Sequence, residues 1–192
     1  LKRIADVVIY LIILVLTLPL NIFVAIAIKL DSKGPVLFKQ DRIGMNNKNF
    51  TIYKYRSMYL DAEKITGPVW STKDDPRVTR VGKIMRKLRI DEIPQFFNVL
   101  KGEMSLVGPR PERPYFVEQL SQQIPYYKRR LKVRPGITGW AQVKHKYDES
   151  IEDVKVKLRY DLFYIENMSL RMDLKILART VLVVLFGKGH YS

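Results

Sequence analysis

Arg86-Lys-Leu-Arg-Ile-Asp91-Glu92-Ile-Pro-Gln-Phe-Phe-Asn98, with the later turn Gly108-Pro-Arg110-Pro111, sets two adjacent carboxylates between basic residues on both sides. Ile93, Phe96, Phe97 and Leu100 recur at helical spacing. Pro94 suits a first turn, where its missing N–H is not needed, so a short helix is predicted over Ile93–Leu100. Asp91 and Glu92 then lie at or just before the helix N-terminus, where free amides and the dipole favour anions. With Arg86 about one turn upstream, Asp91 is expected to stay ionised and to serve as a nucleophile or a metal ligand. The plain alternative is an acidic N-cap. Downstream, Pro109 and Pro111 fix the chain around Arg110, whose planar fork of donors suits a phosphate.

Moving outward, Pro76 to Leu88 is amphipathic: Val78, Val81, Ile84, Met85 and Leu88 form an apolar stripe, with Arg77, Arg80, Lys83 and Lys87 on or beside the other face. Such a helix rests on anionic lipid or packs on a protein core. Asp61–Asp75 reads as a loop. Val36–Gln40 and Phe50–Arg56 are β-prone runs joined by the polar segment Asp41–Asn49, a hairpin with a long loop. Lys54 and Arg56 alternate with Tyr53 and Tyr55, which puts both cations on one strand face as candidate substrate-binding groups or as a solvated edge.

Val7–Ile28 is an uncharged apolar run of about 22 residues, long enough to cross a ~30 Å hydrocarbon core. Pro19 and Asn21 interrupt it, and both flanks are basic: Lys2 and Arg3 before, Lys29 and Lys33 after. Because positive residues prefer the cytoplasmic side, a helix kinked at Pro19 that enters and leaves through one leaflet satisfies both ends better than a span. Each arm of roughly 10–12 residues reaches ~15–18 Å, about half the core. The expected division is a membrane-embedded re-entrant helix over 1–30 and a membrane-surface catalytic domain over 31–192.

Composition narrows the chemistry. The chain has 192 residues, a formal charge of +15, 47% apolar residues, no cysteine and two histidines, His145 and His190. A disulfide framework and a thiolate zinc site are excluded, and the histidines give no ligand spacing. Any site therefore runs on carboxylates, arginines, lysines and hard cations. The charge seeks phosphates in nucleic acid, anionic lipid or a nucleotide. Nucleic acid accounts for the charge and the tyrosines but not for the apolar segment or for carboxylates inside the basic zone. A non-catalytic basic membrane-surface scaffold remains the rival. The chain opens on Leu1, as expected of a piece cut from something longer.

In the C-terminal third, Tyr126-Tyr-Lys-Arg-Arg-Leu-Lys132 is aromatic and basic, and Arg134-Pro-Gly136 with Thr138-Gly139-Trp140 forms a tight loop. Ser150-Ile-Glu-Asp153 is a capping box opening a helix with Val154, Leu158, Leu162 and Ile165 on its apolar face. Ser169 begins another helix, rich in Leu and Val to Phe186, with Gly187 as its stop. The fold class expected is α+β, mostly helical, with one small β-hairpin and amphipathic interfacial helices.

Taken together, the proline-broken N-terminal segment, Tyr53-Lys-Tyr-Arg-Ser-Met58, Asp91 through Pro111, and Val133-Arg-Pro-Gly-Ile-Thr-Gly-Trp-Ala-Gln-Val143 closely resemble the bacterial sugar transferases, in particular the monotopic polyprenyl-phosphate phosphoglycosyl transferases. The likeness covers nearly the whole chain in order. It implies that Asp91 is a nucleophile taking a sugar phosphate from a UDP-sugar, that Glu92 helps hold Mg²⁺, and that Arg86 and Arg110 recognise polyprenyl (undecaprenyl) phosphate. It further implies that Arg134 and Trp140 belong to the nucleotide-sugar pocket, and that the protein works at the cytoplasmic face of the bacterial inner membrane. One departure stands out: the family's helix break is commonly Ser-Pro, whereas Leu18-Pro19 offers no hydroxyl to the broken backbone.

Overall fold

The computed structural model of the protein describes residues 2–62, 67, 75–145 and 150–186. Its first element, α1 (Lys2–Asp31), is a continuous helix with Pro19 inside it. By length and composition it could cross a membrane, and only 11% of its most apolar window is buried by the rest of the chain. Burial falls at its two ends. Near the start, Asp6 accepts from the Ser105 hydroxyl and the Leu106 amide, and Tyr10 packs on Phe96. Near the end, Asn21 accepts from the Tyr55 hydroxyl, and Val24 and Ile28 join a cluster with Tyr55 and Met85. Between Tyr10 and Asn21 no described residue is buried, and Val15 and Leu16 are more than 70% exposed. At Pro19 the polar side chains look after themselves: Thr17 donates to the Ile13 carbonyl at 2.8 Å, one position before the leucine that lacks a hydroxyl.

Strands β1 (Leu37–Ile43) and β2 (Asn49–Tyr55) pair antiparallel, with Leu37 opposite Tyr55 and Ile43 opposite Asn49. The hairpin is longer and its loop tighter than the sequence implied. Asn46 and Asn47 take positive φ, which asparagine tolerates, so the chain reverses within Gly44–Lys48. Asp41 stays in the ladder, where its carboxylate accepts from the Thr51 hydroxyl.

Helix α2 (Arg80–Lys87) starts four residues later than the amphipathic pattern suggested. Thr79 caps it by accepting from the Gly82 amide, while its own amide bonds the Ser57 carbonyl and fixes the preceding residues against the end of β2. A Cβ on Gly82 would overlap that same carbonyl, so only glycine permits this approach. The apolar stripe divides: Met85 is buried and Val81 packs beside it, whereas Ile84 and Leu88 are exposed.

After a 3₁₀ helix (Ile90–Gln95) come α3 (Phe96–Lys101), β3 (Ser105–Val107), α4 (Pro114–Gln123), β4 (Gly136–Thr138) and α5 (Trp140–Lys144). Two long helices close the chain, α6 (Ile151–Glu166) and α7 (Leu170–Phe186). Strands β3 and β4 form a second, parallel two-stranded sheet where a turn-rich connection and a loop were expected, so the fold has more than one β element. These three-residue strands sit among Gly and Pro, too short for a period-2 pattern to register. The expected capping box holds: Ser150 accepts from the Asp153 amide, and Asp153 accepts from the Ser150 amide. The expected stop at Gly187 and most of the Asp61–Asp75 loop lie outside the described residues.

Candidate active site

Arg89, between α2 and the 3₁₀ helix, adopts a left-handed conformation (φ 56°, ψ 21°). For a residue with a side chain this is strained, and it turns the chain sharply, so Asp91 and Glu92 begin a new axis directly over β2. Asn98 secures that placement from below. Fully buried, it accepts from the Tyr53 amide at 3.2 Å and donates to the Thr51 carbonyl and to Glu103, both at 2.7 Å. Gly102, left-handed at φ 83°, ends α3 and leads into β3, which carries the chain on to Arg110.

Both carboxylates are buried, Asp91 to 3% and Glu92 to 4% exposure, inside a ring of cations. Arg110 donates to Glu92 Oε1 at 2.7 Å, Lys54 Nζ stands 3.5 Å from the same oxygen, and Arg89 lies 3.8 Å from Oε2. Arg86, in the last turn of α2, donates from Nε to the Ser57 hydroxyl at 2.9 Å, and its charge acts on Asp91. Asp91 Oδ1 has no hydrogen-bond partner.

The two acids diverge in acidity. Burial works to raise Glu92, but Arg110, then Lys54 and Arg89, outweigh it and hold the carboxyl well below the usual range. At Asp91 burial prevails and pushes the carboxyl up, aided by the charge of Glu92 and opposed by Lys54, Arg86 and Arg110. A carboxylate at a helix N-terminus is expected to be ionised; Asp91 departs from that expectation because it is almost completely desolvated. Burial, with Arg110 adding to it, also lowers Lys54 to about 8.

The structure brings Asp91, Glu92, Lys54, Arg86 and Arg110 together and leaves three other sequence candidates elsewhere. Arg56 is buried and donates to the Lys33 and Ser32 carbonyls at 2.7 Å and to Ser32 Oγ at 3.0 Å, closing the end of α1. Arg134 is exposed and donates to the Gly102 carbonyl behind α3. Trp140 is a core residue stacked on Phe163, with Lys144, Lys175 and Arg179 each 5.2–5.4 Å from its ring. Sequence reasoning passed over Asn98, Ser57, Arg42, Glu112 and Arg130. The available signal was a glutamate two residues after Arg110, but its partners Arg42, Arg130 and Lys157 come from β1, from the 3₁₀ helix Tyr127–Lys132 and from α6.

Among the described residues no group of three or more His, Asp or Glu side chains gathers as a ready metal cage. The Asp91–Glu92 pair nevertheless fits a hard cation that takes few protein ligands: the donors are carboxylate oxygens, and Asp91 Oδ1 is buried without a partner.

Comparison with known families decides the affiliation. Residues 1–187 match the family described as bacterial sugar transferase. The chain belongs to that family. Among curated members it is 50% identical over 188 residues, 98% of its own length, to the UDP-N-acetylgalactosamine-undecaprenyl-phosphate N-acetylgalactosaminephosphotransferase of Aeromonas hydrophila, covering 44% of that protein. It is 43% identical over 194 residues to the UDP-glucose:undecaprenyl-phosphate glucose-1-phosphate transferase of Escherichia coli K12, covering all of this chain and 41% of that family member. The chain thus spans less than half the length of these two relatives. A third, the exopolysaccharide production protein PSS of Rhizobium leguminosarum, is 42% identical over 198 residues, 98% of each chain.

Proposed function

We propose that the chain transfers a sugar-1-phosphate from a UDP-sugar to undecaprenyl phosphate, with Asp91 as a covalent nucleophile. The observation that carries this reading is the buried Asp91 carboxylate with a free oxygen, seated among Lys54, Arg86 and Arg110 beside a fully paired Glu92. The names of the relatives supply the substrate classes.

An Asp91 oxygen attacks the β-phosphorus of the UDP-sugar. The bond from that phosphorus to the bridging oxygen breaks, and UMP leaves with the oxygen. A phosphate oxygen of undecaprenyl phosphate then attacks the same phosphorus, the bond to Asp91 breaks, and the carboxylate is restored as polyprenyl-diphospho-sugar departs. Dividing the transfer means the nucleotide sugar and the lipid need not be bound together. Anion approaches anion at each step, so preorganised cations do most of the work: Arg110, Arg86 and Lys54 face the spreading oxygen charge. Burial raises the pKa of Asp91, so its ionised oxygen is the more basic and the stronger nucleophile of the pair, while Glu92 stays ionised and keeps Lys54 and Arg110 in place. Mg²⁺, where held by the Glu92 carboxylate with Asp91 beside it, would supply charge neutralisation on the diphosphate. Arg56, Arg134 and Trp140, committed to helix ends and core, act on the fold.

The reading extends to the membrane. Both ends of α1 dock on the same body while its middle is bare and apolar, the pattern expected of a helix that dips into one leaflet and returns. The dip over 1–30 and the exposed Ile84 and Leu88 would hold residues 31–192 at headgroup depth on the cytoplasmic face.

The test is UMP release by purified protein in nanodiscs containing undecaprenyl phosphate, with Mg²⁺ and a panel including UDP-N-acetylgalactosamine and UDP-glucose. Release that requires the lipid and is lost in Asp91→Asn supports the assignment. Undiminished release in Asp91→Asn removes the nucleophile, and no release with any UDP-sugar favours the scaffold.

A further inference from the structure

Outside the carboxylate pair lies a buried ionic cluster with no part in the chemistry above. Arg130, in the 3₁₀ helix Tyr127–Lys132, is 4% exposed. It donates to Asp161 on α6 through Nε at 3.0 Å, lies 2.8 Å from it through Nη2, and donates to the Tyr127 hydroxyl at 2.9 Å. Its Nη2 also donates to the main-chain carbonyl of Arg110 at 2.8 Å. Two residues on, Glu112 accepts from Lys157 at 2.9 Å and sits within 3.9 Å of Arg42 and Arg130.

The backbone beside Arg110 is held at every step. The Pro109 carbonyl accepts from the Gly136 amide, Arg110 from Arg130, Pro111 from Arg42 at 3.0 Å, and Glu112 from the Ile43 amide. Four consecutive carbonyls are thus tied to β4, to the 3₁₀ helix and twice to β1, with prolines fixing φ on either side of Arg110. Burying ions is a poor way to gain stability, since well-packed apolar groups often do as well. A forked guanidinium that grips a carbonyl and a carboxylate at once is a good way to hold one geometry.

We infer that Arg130 is a positioning residue for the reaction: by gripping the Arg110 carbonyl against α6, it fixes the direction in which the Arg110 guanidinium leaves the chain toward Glu92 and the phosphate. This rests on the reading of Arg110 as a phosphate-stabilising group. A lysine at 130 keeps the charge but not the fork, so Arg110 regains freedom while the fold persists.

The experiment is a double-mutant cycle on the nanodisc-embedded protein, using the UDP-sugar of the panel that turns over fastest, with melting measured for every variant. Arg130→Lys lowers kcat by about 30-fold and leaves KM for both substrates within about threefold, because a slightly misplaced cation is felt mainly in the transition state. In an Arg110→Lys background the same change costs less than about twofold more. Asp161→Asn, which leaves Arg130 in place but loosens its outer grip, gives about a fivefold loss that also vanishes in that background; it carries the test if Arg130→Lys does not fold. A merely structural role would lower melting and reduce activity by the same factor in both backgrounds, and that result, or full kcat in folded variants, overturns the inference. If Arg110→Lys is itself fully active, the phosphate reading of Arg110 fails and this inference with it, an outcome distinct from the others.

Discussion

Lys54, near the end of β2, and Arg56, just past it, stand two residues apart, yet they serve two regions built on different electrostatics. Lys54 turns to Glu92, in a pocket where cations surround buried carboxylates. Arg56 turns to the seat of α1, where cations meet main-chain carbonyls: Ile28, Ser32 and Lys33 for Arg56, Val99 and Leu100 for Arg3 at the other end. Helix C-termini carry partial negative charge and orphan carbonyls, so an arginine there acts as a cap. A cation lost from the pocket leaves full charges stranded beside the chemistry; one lost from the seat of α1 loosens a joint.

That contrast can be broken in order of expected effect. Glu92→Gln should be the severest, because it strands Arg110, Lys54 and Arg89 together: stability falls by about 3–5 kcal/mol and turnover by at least ~10²-fold. Denaturant unfolding alongside UMP release would check it, and a well-folded, active Glu92→Gln would contradict the ring of cations. Next, Lys54→Met should cost turnover about 10²-fold with little loss of stability, since a buried, partly desolvated ammonium is removed.

The same lysine gives a pH signature. Its folded-state value of about 8 lies below the ordinary 10.5, so the charge disappears as pH rises through about 8, and activity should decline on that alkaline limb. Between those values the unfolded chain binds the extra proton, so Lys54's contribution to stability rises rather than falls with pH. Lys54→Arg should carry the limb to higher pH; an unmoved limb would mean another group controls it.

Arg56→Met should show the reverse partition. Loss of its charge-assisted bonds at the end of α1 lowers stability by about 3 kcal/mol, with kcat within about threefold below the melting range. A catalytic collapse without unfolding would return Arg56 to the site. Smallest of all, Ser150→Ala removes the capping box of α6 at a cost of about 1 kcal/mol and no change in turnover, measurable by thermal melting.

Much of the pocket was legible because its signal is local. Asp91 and Glu92 are adjacent, Arg86 and Arg89 are within five residues, and prolines frame Arg110. The Ser150 capping box was legible for the same reason. What was not legible depends on partners remote in sequence. Period-2 alternation put Lys54 and Arg56 on one face but could not show that the end of α1 waits for the second. Trp140 is assigned to the pocket by resemblance alone, since in sequence an indole beside Arg134 looks alike whether it meets a nucleotide or packs on Phe163 among three cations. The Arg130–Asp161 pair spans 31 residues, and β3 and β4 are too brief to announce themselves.

Intact-mass spectrometry of the purified protein, given a UDP-sugar and Mg²⁺ without lipid acceptor, tests the covalent role of Asp91 most directly. The account predicts an added sugar-phosphate mass that disappears when undecaprenyl phosphate is supplied and never forms in Asp91→Asn. An adduct that persists in Asp91→Asn, or no adduct from a UDP-sugar that the same preparation turns over once lipid is present, would contradict it.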